Sequence, residues 1–172
     1  MPLAEDAHVA LAQELGRALV ARGWRVATAE SCTGGLVAAA ITTVAGSSGW
    51  FERGFVTYSN DAKQGMLGVG SELLDRFGAV SEAVAGAMAE GALAHGMADC
   101  AVGVTGIAGP DGGTATKPVG MVCFGWAARG SAPIVTTRHF PGDREAVRQA
   151  AVAVALAGLI ERARSMPDPW ST

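Results

Sequence analysis

Two candidate nucleophiles, Ser31 and Cys32, stand side by side in the stretch ATAESCTGG, and Gly34 and Gly35 close that stretch. The residues that follow predict a helix from Thr33, which would place both nucleophiles at a helix N-terminus. Free backbone N–H groups there attract anions, and they can stabilise the oxyanion that forms when a carbonyl group is attacked. Glycines also let the backbone approach a ligand closely. The pattern indicates nucleophilic catalysis, and a capping Ser or Thr in a tight turn is the structural alternative.

A serine nucleophile needs a base, and Lys63 is a better candidate than the three histidines. His8 falls on the first predicted helix, His95 near a helix end and His139 late in a predicted strand. Eleven of the thirteen cations are arginine, and Lys63 and Lys117 are the only lysines. A buried lysine can lose its proton near neutral pH and then deprotonate a hydroxyl group, whereas arginine cannot. An ordinary exposed position on a helix is the alternative for Lys63.

The segment YSNDAK contains three residue types that are rare in this chain. Tyr58 is its only tyrosine and Asn60 its only asparagine, and both lie close to Lys63. Asn60 can cap a short helix that carries the lysine. The concentration of these residue types in one segment indicates a functional role.

A glycine-rich loop, residues 106–118, follows Thr105 and reads GIAGPDGGTATKP. It fits neither G-x-x-x-x-G-K-[ST] nor G-x-G-x-x-G, which argues against nucleoside triphosphate and dinucleotide sites. Its N–H groups can still cradle one phosphate, and a flexible surface loop is the alternative. Arg144, at the start of the last predicted helix, can bind an anion too. The candidate binding residues of the glycine-rich loop are Gly106, Gly109, Gly113 and Lys117.

The elements that must position these residues alternate between strands and helices. Helices are expected at 5–23, from 33, from 60, from 71, at 82–96 and at 144–164, and strands at 24–29, 54–59, 98–105, 119–128 and 133–140. Ser81 and Asp143 can cap the helices at 82–96 and 144–164. This order predicts an α/β fold with a mixed, mostly parallel sheet covered by helices on both faces, a three-layer α/β/α arrangement. If the first three strands are parallel, the loops after them converge at their carboxyl ends.

Composition restricts the function classes. The 172 residues fit one domain, expected at 1–165 and followed by a flexible tail at 166–172. The net charge of −3 argues against a nucleic-acid partner. No stretch is long and apolar enough to span a membrane, and the N-terminus does not read as a signal peptide. Three isolated cysteines suggest reduced thiols in a cytoplasmic protein, with neither a disulfide framework nor a zinc site.

Four motifs in this order resemble the CinA C-terminal domain family: AESCTGGLVAAAITTVAGSSGWFERGFVTYSNDAKQGMLGV, FGAVSEAVA, ADCAVGVTGIAGPDGGTATKPVGMVCFG and FPGDREAVR. The resemblance covers nearly the whole chain. It implies a bacterial, cytoplasmic amidohydrolase that converts nicotinamide mononucleotide to nicotinate mononucleotide and ammonia in pyridine nucleotide salvage. It also implies no metal and no cofactor, a stand-alone form without the molybdopterin-binding-like domain of some members, and compatibility with a homo-oligomer.

The resemblance also implies catalytic roles by position. Ser31 would attack the carboxamide carbon, with neutral Lys63 as the base and later as the proton donor to ammonia. Tyr58 or Thr105 would orient this pair or relay a proton. Cys32 would then be a small buried residue. An amidase for another small amide and a non-catalytic nucleotide-binding module are the two alternatives to this function.

Substrate binding is expected to involve the same loops. The 5′-phosphate would lie against the glycine-rich loop, with Lys117 or Arg144 supplying the positive charge. The remaining candidate substrate-binding residues are Glu30, Thr33, Gly34, Gly35 and Asn60.

Overall fold

The computed structural model describes residues 2–167, with side chains from residue 5 onward. Its elements are α1 (Pro2–Arg22), β1 (Val26–Glu30), α2 (Leu36–Thr42), β2 (Phe51–Val56), α3 (Asn60–Leu67), α4 (Ser71–Phe77), α5 (Glu82–Ala94), β3 (Cys100–Gly106), β4 (Met121–Ala128), β5 (Ser131–His139) and α6 (Arg144–Ser165), with a 3₁₀ turn at Ser47–Gly49. Of the tail predicted at 166–172, residues 168–172 lie outside this description. No helix in the described range is long and apolar enough to cross a membrane.

The five strands form one mixed sheet in the order β2-β1-β3-β4-β5. Strand β1 pairs in parallel with both β2 and β3, which is the condition under which the loops after the first three strands converge at their carboxyl ends. The expectation of a mostly parallel sheet is wrong, because β4 is antiparallel to both β3 and β5, and these are the longer pairings. Parallel neighbours need a crossover, usually helical. Only a loop separates β3 from β4 and a tight turn β4 from β5, so both connections reverse the chain.

Alternate residues of the central strands pack into two separate apolar clusters. Val102 and Val104 of β3 belong to a cluster that includes residues of α1, α2 and α6. Ala101, the residue before Val102, belongs to a cluster with residues of α3, α4 and α5. Because successive side chains of a strand point to opposite faces, the two clusters lie on opposite faces of the sheet.

Helix α5 lies directly on the sheet because two paired glycines leave room for its backbone. Gly103 of β3 pairs with Gly125 of β4. A Cβ atom at Gly103 would collide with the carbonyl oxygen of Ala85 in α5, and a Cβ at Gly125 would lie 2.6 Å from that same oxygen. Any side chain at either position would push the helix away from the sheet, so these two glycines determine the position of α5.

Side-chain caps define the starts of three helices. The hydroxyl oxygens of Ser59 and Ser81 accept hydrogen bonds at the starts of α3 and α5, and the Asp143 carboxylate does so at α6. The caps at Ser81 and Asp143 were predicted. The predicted cap at Asn60 is wrong, because Asn60 is already the first residue of α3 and the preceding Ser59 accepts from the Ala62 amide.

Candidate active site

The turn that carries Ser31, called here the nucleophile loop (residues 31–35), connects β1 to α2. The predicted helix start at Thr33 is wrong, since α2 begins at Leu36. Gly34 and Gly35 have φ angles of 57° and 102°, a left-handed backbone that is incompatible with continuing a right-handed helix. Ser31 therefore lies in a turn ahead of the helix and not in its first turn.

Glu30 holds the nucleophile loop at its base. The fully buried carboxylate accepts hydrogen bonds from the amides of Val37 at 2.8 Å and Ala38 at 3.1 Å, at the start of α2. Its carbonyl oxygen accepts from the Thr57 amide at 2.9 Å. Glu30 was a candidate for substrate binding, but with both carboxylate oxygens occupied and no exposed surface it caps α2 instead.

Ser31 and Lys63 meet in the interior of the protein. Lys63 Nζ lies 3.1 Å from Ser31 Oγ, and it donates a second hydrogen bond to the Thr57 carbonyl at 2.8 Å. Lys63 is 1% exposed and Ser31 is 9% exposed. Burial lowers the pKa of Lys63 from its ordinary value of 10.5, because the protein interior disfavours the charged amine. The arrangement can therefore supply a neutral amine beside a serine hydroxyl.

Cys32 is a poor rival nucleophile in this environment. Its side chain is only 6% exposed. Burial is the largest influence on the pKa of the Cys32 thiol and raises it to about 12, with the neighbouring Glu30 acting in the same direction. A thiol must ionise before it attacks, so this environment favours Ser31.

Three amides of the nucleophile loop are free to receive an oxyanion. Within residues 2–167, no partner is found for the N–H groups of Cys32, Thr33 and Gly35, whereas the Gly34 amide donates to the Ser31 carbonyl at 3.0 Å. The hydroxyl of Thr33 is buried without a partner. Any contact of Thr33 or Gly35 with substrate would therefore come from the backbone.

Arg144 connects the glycine-rich loop to the segment that precedes α3. Its guanidinium donates to the Gly109 carbonyl at 2.8 Å and to the Tyr58 hydroxyl at 2.9 Å. Tyr58 is 62% exposed, and no hydrogen bond within the described residues links it to the dyad. The predicted relay role of Tyr58 has no support in these contacts, while its position beside Thr57 places it at the edge of the site.

The glycine-rich loop leaves several backbone N–H groups available. Among the described residues, no partner is found for the amides of Gly109, Gly112 and Gly113. Gly106 instead ends β3, where it pairs with Val122. A phosphate cradle in this loop would therefore use its middle rather than its first residue.

Thr105 and Lys117 both bind main-chain carbonyls at the end of α4 or just after it. The Thr105 hydroxyl, almost fully buried, donates to the Ala79 carbonyl at 2.8 Å. The Lys117 amine donates to the Phe77 carbonyl at the end of α4. Each side chain is thus engaged with a main-chain oxygen, which favours structural roles over the predicted proton relay and phosphate contact.

Arg148 is a site residue that sequence reasoning missed. Its Nε donates to the Cys32 carbonyl at 3.2 Å, and its Nη2 donates to the Thr33 carbonyl at 3.5 Å. It lies one helical turn after Arg144 on the same face of α6. That spacing was the available signal in the sequence, and the two arginines together hold the nucleophile loop, Tyr58 and the glycine-rich loop.

His8 and His95, which the sequence disfavours as bases, each bind a main-chain carbonyl through one ring nitrogen. His8 hydrogen-bonds the Gln149 carbonyl at 3.0 Å, and His95 the Gly91 carbonyl at 2.9 Å. In the part of the chain that the structure describes, no group of three or more His, Cys, Asp or Glu side chains could hold a metal ion.

Comparisons with known proteins agree on one family. The model of the CinA C-terminal domain matches residues 8–163. A relative from Enterobacter agglomerans named nicotinamide-nucleotide amidohydrolase PncC is 59% identical, covering 83% of this chain and 87% of the relative. The protein of the same name from Escherichia coli K12 is 58% identical, with coverages of 85% and 88%. The crystal structure of the competence/damage inducible protein CihA from Agrobacterium tumefaciens superposes with a TM-score of 0.87 at 49% identity, covering 90% of this chain and 94% of that one.

Proposed function

Because this chain belongs to the CinA C-terminal domain family, we propose that it hydrolyses the carboxamide of nicotinamide mononucleotide to nicotinate mononucleotide and ammonia. The observation that carries the proposal is the buried hydrogen bond between Lys63 Nζ and Ser31 Oγ. The names of relatives at 58% and 59% identity support the substrate. Residues 1–165 would form the amidohydrolase domain, acting in pyridine nucleotide salvage.

The first half of the reaction forms an acyl-enzyme. Neutral Lys63 takes the hydroxyl proton of Ser31 as Oγ bonds to the carboxamide carbon, and the carbonyl oxygen becomes an oxyanion. Free amides of the nucleophile loop stabilise that charge. The C–N bond then breaks, and Lys63 returns the proton to the leaving nitrogen, which departs as ammonia. The hydrogen bond from Lys63 to the Thr57 carbonyl keeps the amine in place throughout.

The second half reverses these roles with water as the nucleophile. Lys63 takes a proton from the water as its oxygen attacks the ester carbon, and the same amides hold the new oxyanion. The ester bond breaks, the proton on Lys63 returns to Ser31 Oγ, and the new carboxylic acid loses its own proton to solvent, so nicotinate mononucleotide leaves with a carboxylate. In each half Lys63 takes a proton from the attacking oxygen and gives it to the leaving atom, so the cycle ends with the starting dyad.

The phosphate of the substrate would lie between Arg144 and the middle of the glycine-rich loop. Arg144 is an exposed cation, and its two contacts inside the protein are to neutral oxygens. The free amides of Gly109, Gly112 and Gly113 add donors nearby. Lys117 is less suited, because its amine is bound to the Phe77 carbonyl.

Ammonia release tests the proposal directly. Purified protein is incubated with nicotinamide mononucleotide, its dephosphorylated riboside and free nicotinamide, with Ser31→Ala as the inactive control. We expect the mononucleotide to be hydrolysed most efficiently. Equal hydrolysis of all three would indicate a general small-amide amidase, and binding of the mononucleotide without ammonia would indicate a nucleotide-binding module.

A further inference from the structure

Arg148 of α6 fastens the main chain of the nucleophile loop from outside. Arg148 binds the carbonyls of Cys32 and Thr33, and its remaining terminal nitrogen lies 3.4 Å from the carboxylate of Glu145. Its side chain is 26% exposed. Since Nε and both terminal nitrogens already have partners within the protein, Arg148 is poorly placed to bind substrate.

Because the peptide unit is planar, a hydrogen bond that holds a carbonyl also fixes the direction of the N–H group that follows it. In a trans peptide the C=O and the following N–H point to opposite sides, and the Cys32–Thr33 bond is trans. With the Cys32 carbonyl directed at Arg148, the Thr33 N–H points away from α6, and it has no partner among the described residues. In the preceding peptide unit, Ser31–Cys32, the Gly34 amide donates to the Ser31 carbonyl. The Cys32 N–H therefore points to the opposite side, and it has no partner among the described residues.

Two consecutive free amides beside Ser31 are thus directed by different anchors. The Cys32 amide depends on a hydrogen bond inside the loop, whereas the Thr33 amide depends on α6. The loop continues into two glycines with left-handed φ angles, which restrain the backbone little by themselves. An external anchor with a charged donor supplies the missing restraint.

We propose that Arg148 is a positioning residue that directs the Thr33 amide to the oxyanion formed at Ser31. The inference rests on the proposed function, because it assigns Arg148 to the same reaction. Removing one oxyanion donor outright typically lowers kcat by roughly 10²–10³-fold. Removing the Arg148 side chain leaves the Thr33 amide correctly directed part of the time, so we expect kcat to fall by a smaller factor, about 10- to 100-fold.

Kinetics of Arg148→Met and Arg148→Lys test the inference. For Arg148→Met we expect the loss in kcat with KM within about twofold, and an unchanged midpoint in the pH–rate profile because Lys63 is untouched. Arg148→Lys should be intermediate, since lysine can bind one of the two carbonyls. Arg164→Met, which breaks an exposed pair with Glu14 near the other end of α6, is the matched control and should be unchanged.

Other kinetic outcomes would overturn the inference. A raised KM at unchanged kcat would make Arg148 a substrate contact, and a shifted pH midpoint would mean that it acts through Lys63. Wild-type kinetics in Arg148→Met would remove it from the reaction.

Covalent labelling of Ser31 separates this inference from the proposed function. A fluorophosphonate probe reacts with an activated serine through a charged intermediate and needs no nucleotide. We expect labelling, located at Ser31 by mass spectrometry, to slow about 10- to 100-fold in Arg148→Met, with melting temperatures measured in parallel. Equal labelling rates would overturn the role of Arg148. A labelled wild type that releases no ammonia from nicotinamide mononucleotide would refute the proposed function alone.

Discussion

Lys63 reaches Ser31 across 32 positions of sequence, and the two side chains meet at 3.1 Å in the interior of the protein. The Thr57 carbonyl holds the amine on its other side, and the Thr57 amide is bonded to Glu30, the residue before Ser31. Ser31 and Lys63 are therefore connected to one another through main-chain hydrogen bonds as well as through their side chains.

The identity of the nucleophile can be tested by exchanging the two neighbours. Ser31→Ala should lower kcat by roughly 10⁴-fold or more, because the attacking oxygen is gone while the pocket remains. Cys32→Ser should keep most of its activity, since the raised pKa of the thiol keeps it protonated and unreactive. Steady-state ammonia release and nucleotide binding would be measured for both. An inactive Cys32→Ser beside an active Ser31→Ala would show that the enzyme is a cysteine amidase.

The rate should depend on the protonation of Lys63. Burial lowers the pKa of the amine below 10.5, so the neutral base accumulates as pH rises through that lowered pKa. We expect kcat to fall as pH drops below it, with a midpoint below 10.5.

Lys63→Arg keeps the charge but cannot lose a proton near neutrality, so it should be as inactive as Lys63→Ala. Rate profiles across pH, together with the melting temperature of each variant, provide the check. Retention of most of the wild-type kcat in Lys63→Arg would mean that another group is the base.

The two cations near the glycine-rich loop should differ in their effect on substrates. Arg144→Ala should weaken binding of the mononucleotide by about 1.5–3 kcal/mol, roughly 10- to 100-fold, and should weaken binding of the riboside much less. Lys117→Ala should affect both substrates alike, because its amine ties the loop to the Phe77 carbonyl. The ratio of kcat/KM for the two substrates measures the difference. If Lys117→Ala lowered kcat/KM for the mononucleotide alone, Lys117 would be the phosphate contact.

The contact of α5 with the sheet should be intolerant of a single methyl group. Gly103→Ala would drive a Cβ into the Ala85 carbonyl, and overpacking of this kind costs about 1–3 kcal/mol. Gly65→Ala is the matched control, because a Cβ there meets nothing within 4 Å and alanine favours the helix by roughly 0.5–1 kcal/mol. Denaturant unfolding of both variants gives the free energies. A Gly103→Ala protein as stable as the wild type would contradict this packing.

Most elements of the fold were predictable from local sequence, since hydrophobic runs and capping residues are local signals. Ser81 and Asp143 cap helices as predicted. The direction of β4 was harder, because it depends on how the chain crosses the sheet and not on the composition of the strand. The late start of α2 was also missed, since a Gly-Gly pair is compatible with either a turn or a helix start until its φ angles are known.

Residues of the candidate site were predictable where the residue type itself was the signal. They were not predictable where the role depends on contacts between distant parts of the chain. The rarity of lysine in the chain singled out Lys63, and the structure places it against Ser31. The Glu30 carboxylate and Arg148 act on main-chain groups whose directions exist only after the turns have formed. No local pattern specifies such contacts, so the sequence alone predicts neither the capping role of Glu30 nor the contacts of Arg148.

Because α6 is synthesised last, a growing polypeptide can complete the candidate active site only after α6 has been made. Ribosomes build the chain from the N-terminus, so Ser31 and Lys63 are synthesised well before Arg144 and Arg148. Helix α1 is synthesised before every strand, but it packs on α6. It therefore gains this packing partner only after α6 has been synthesised. A nascent chain that has completed all five strands thus holds both dyad residues but lacks the two arginines that secure their surroundings.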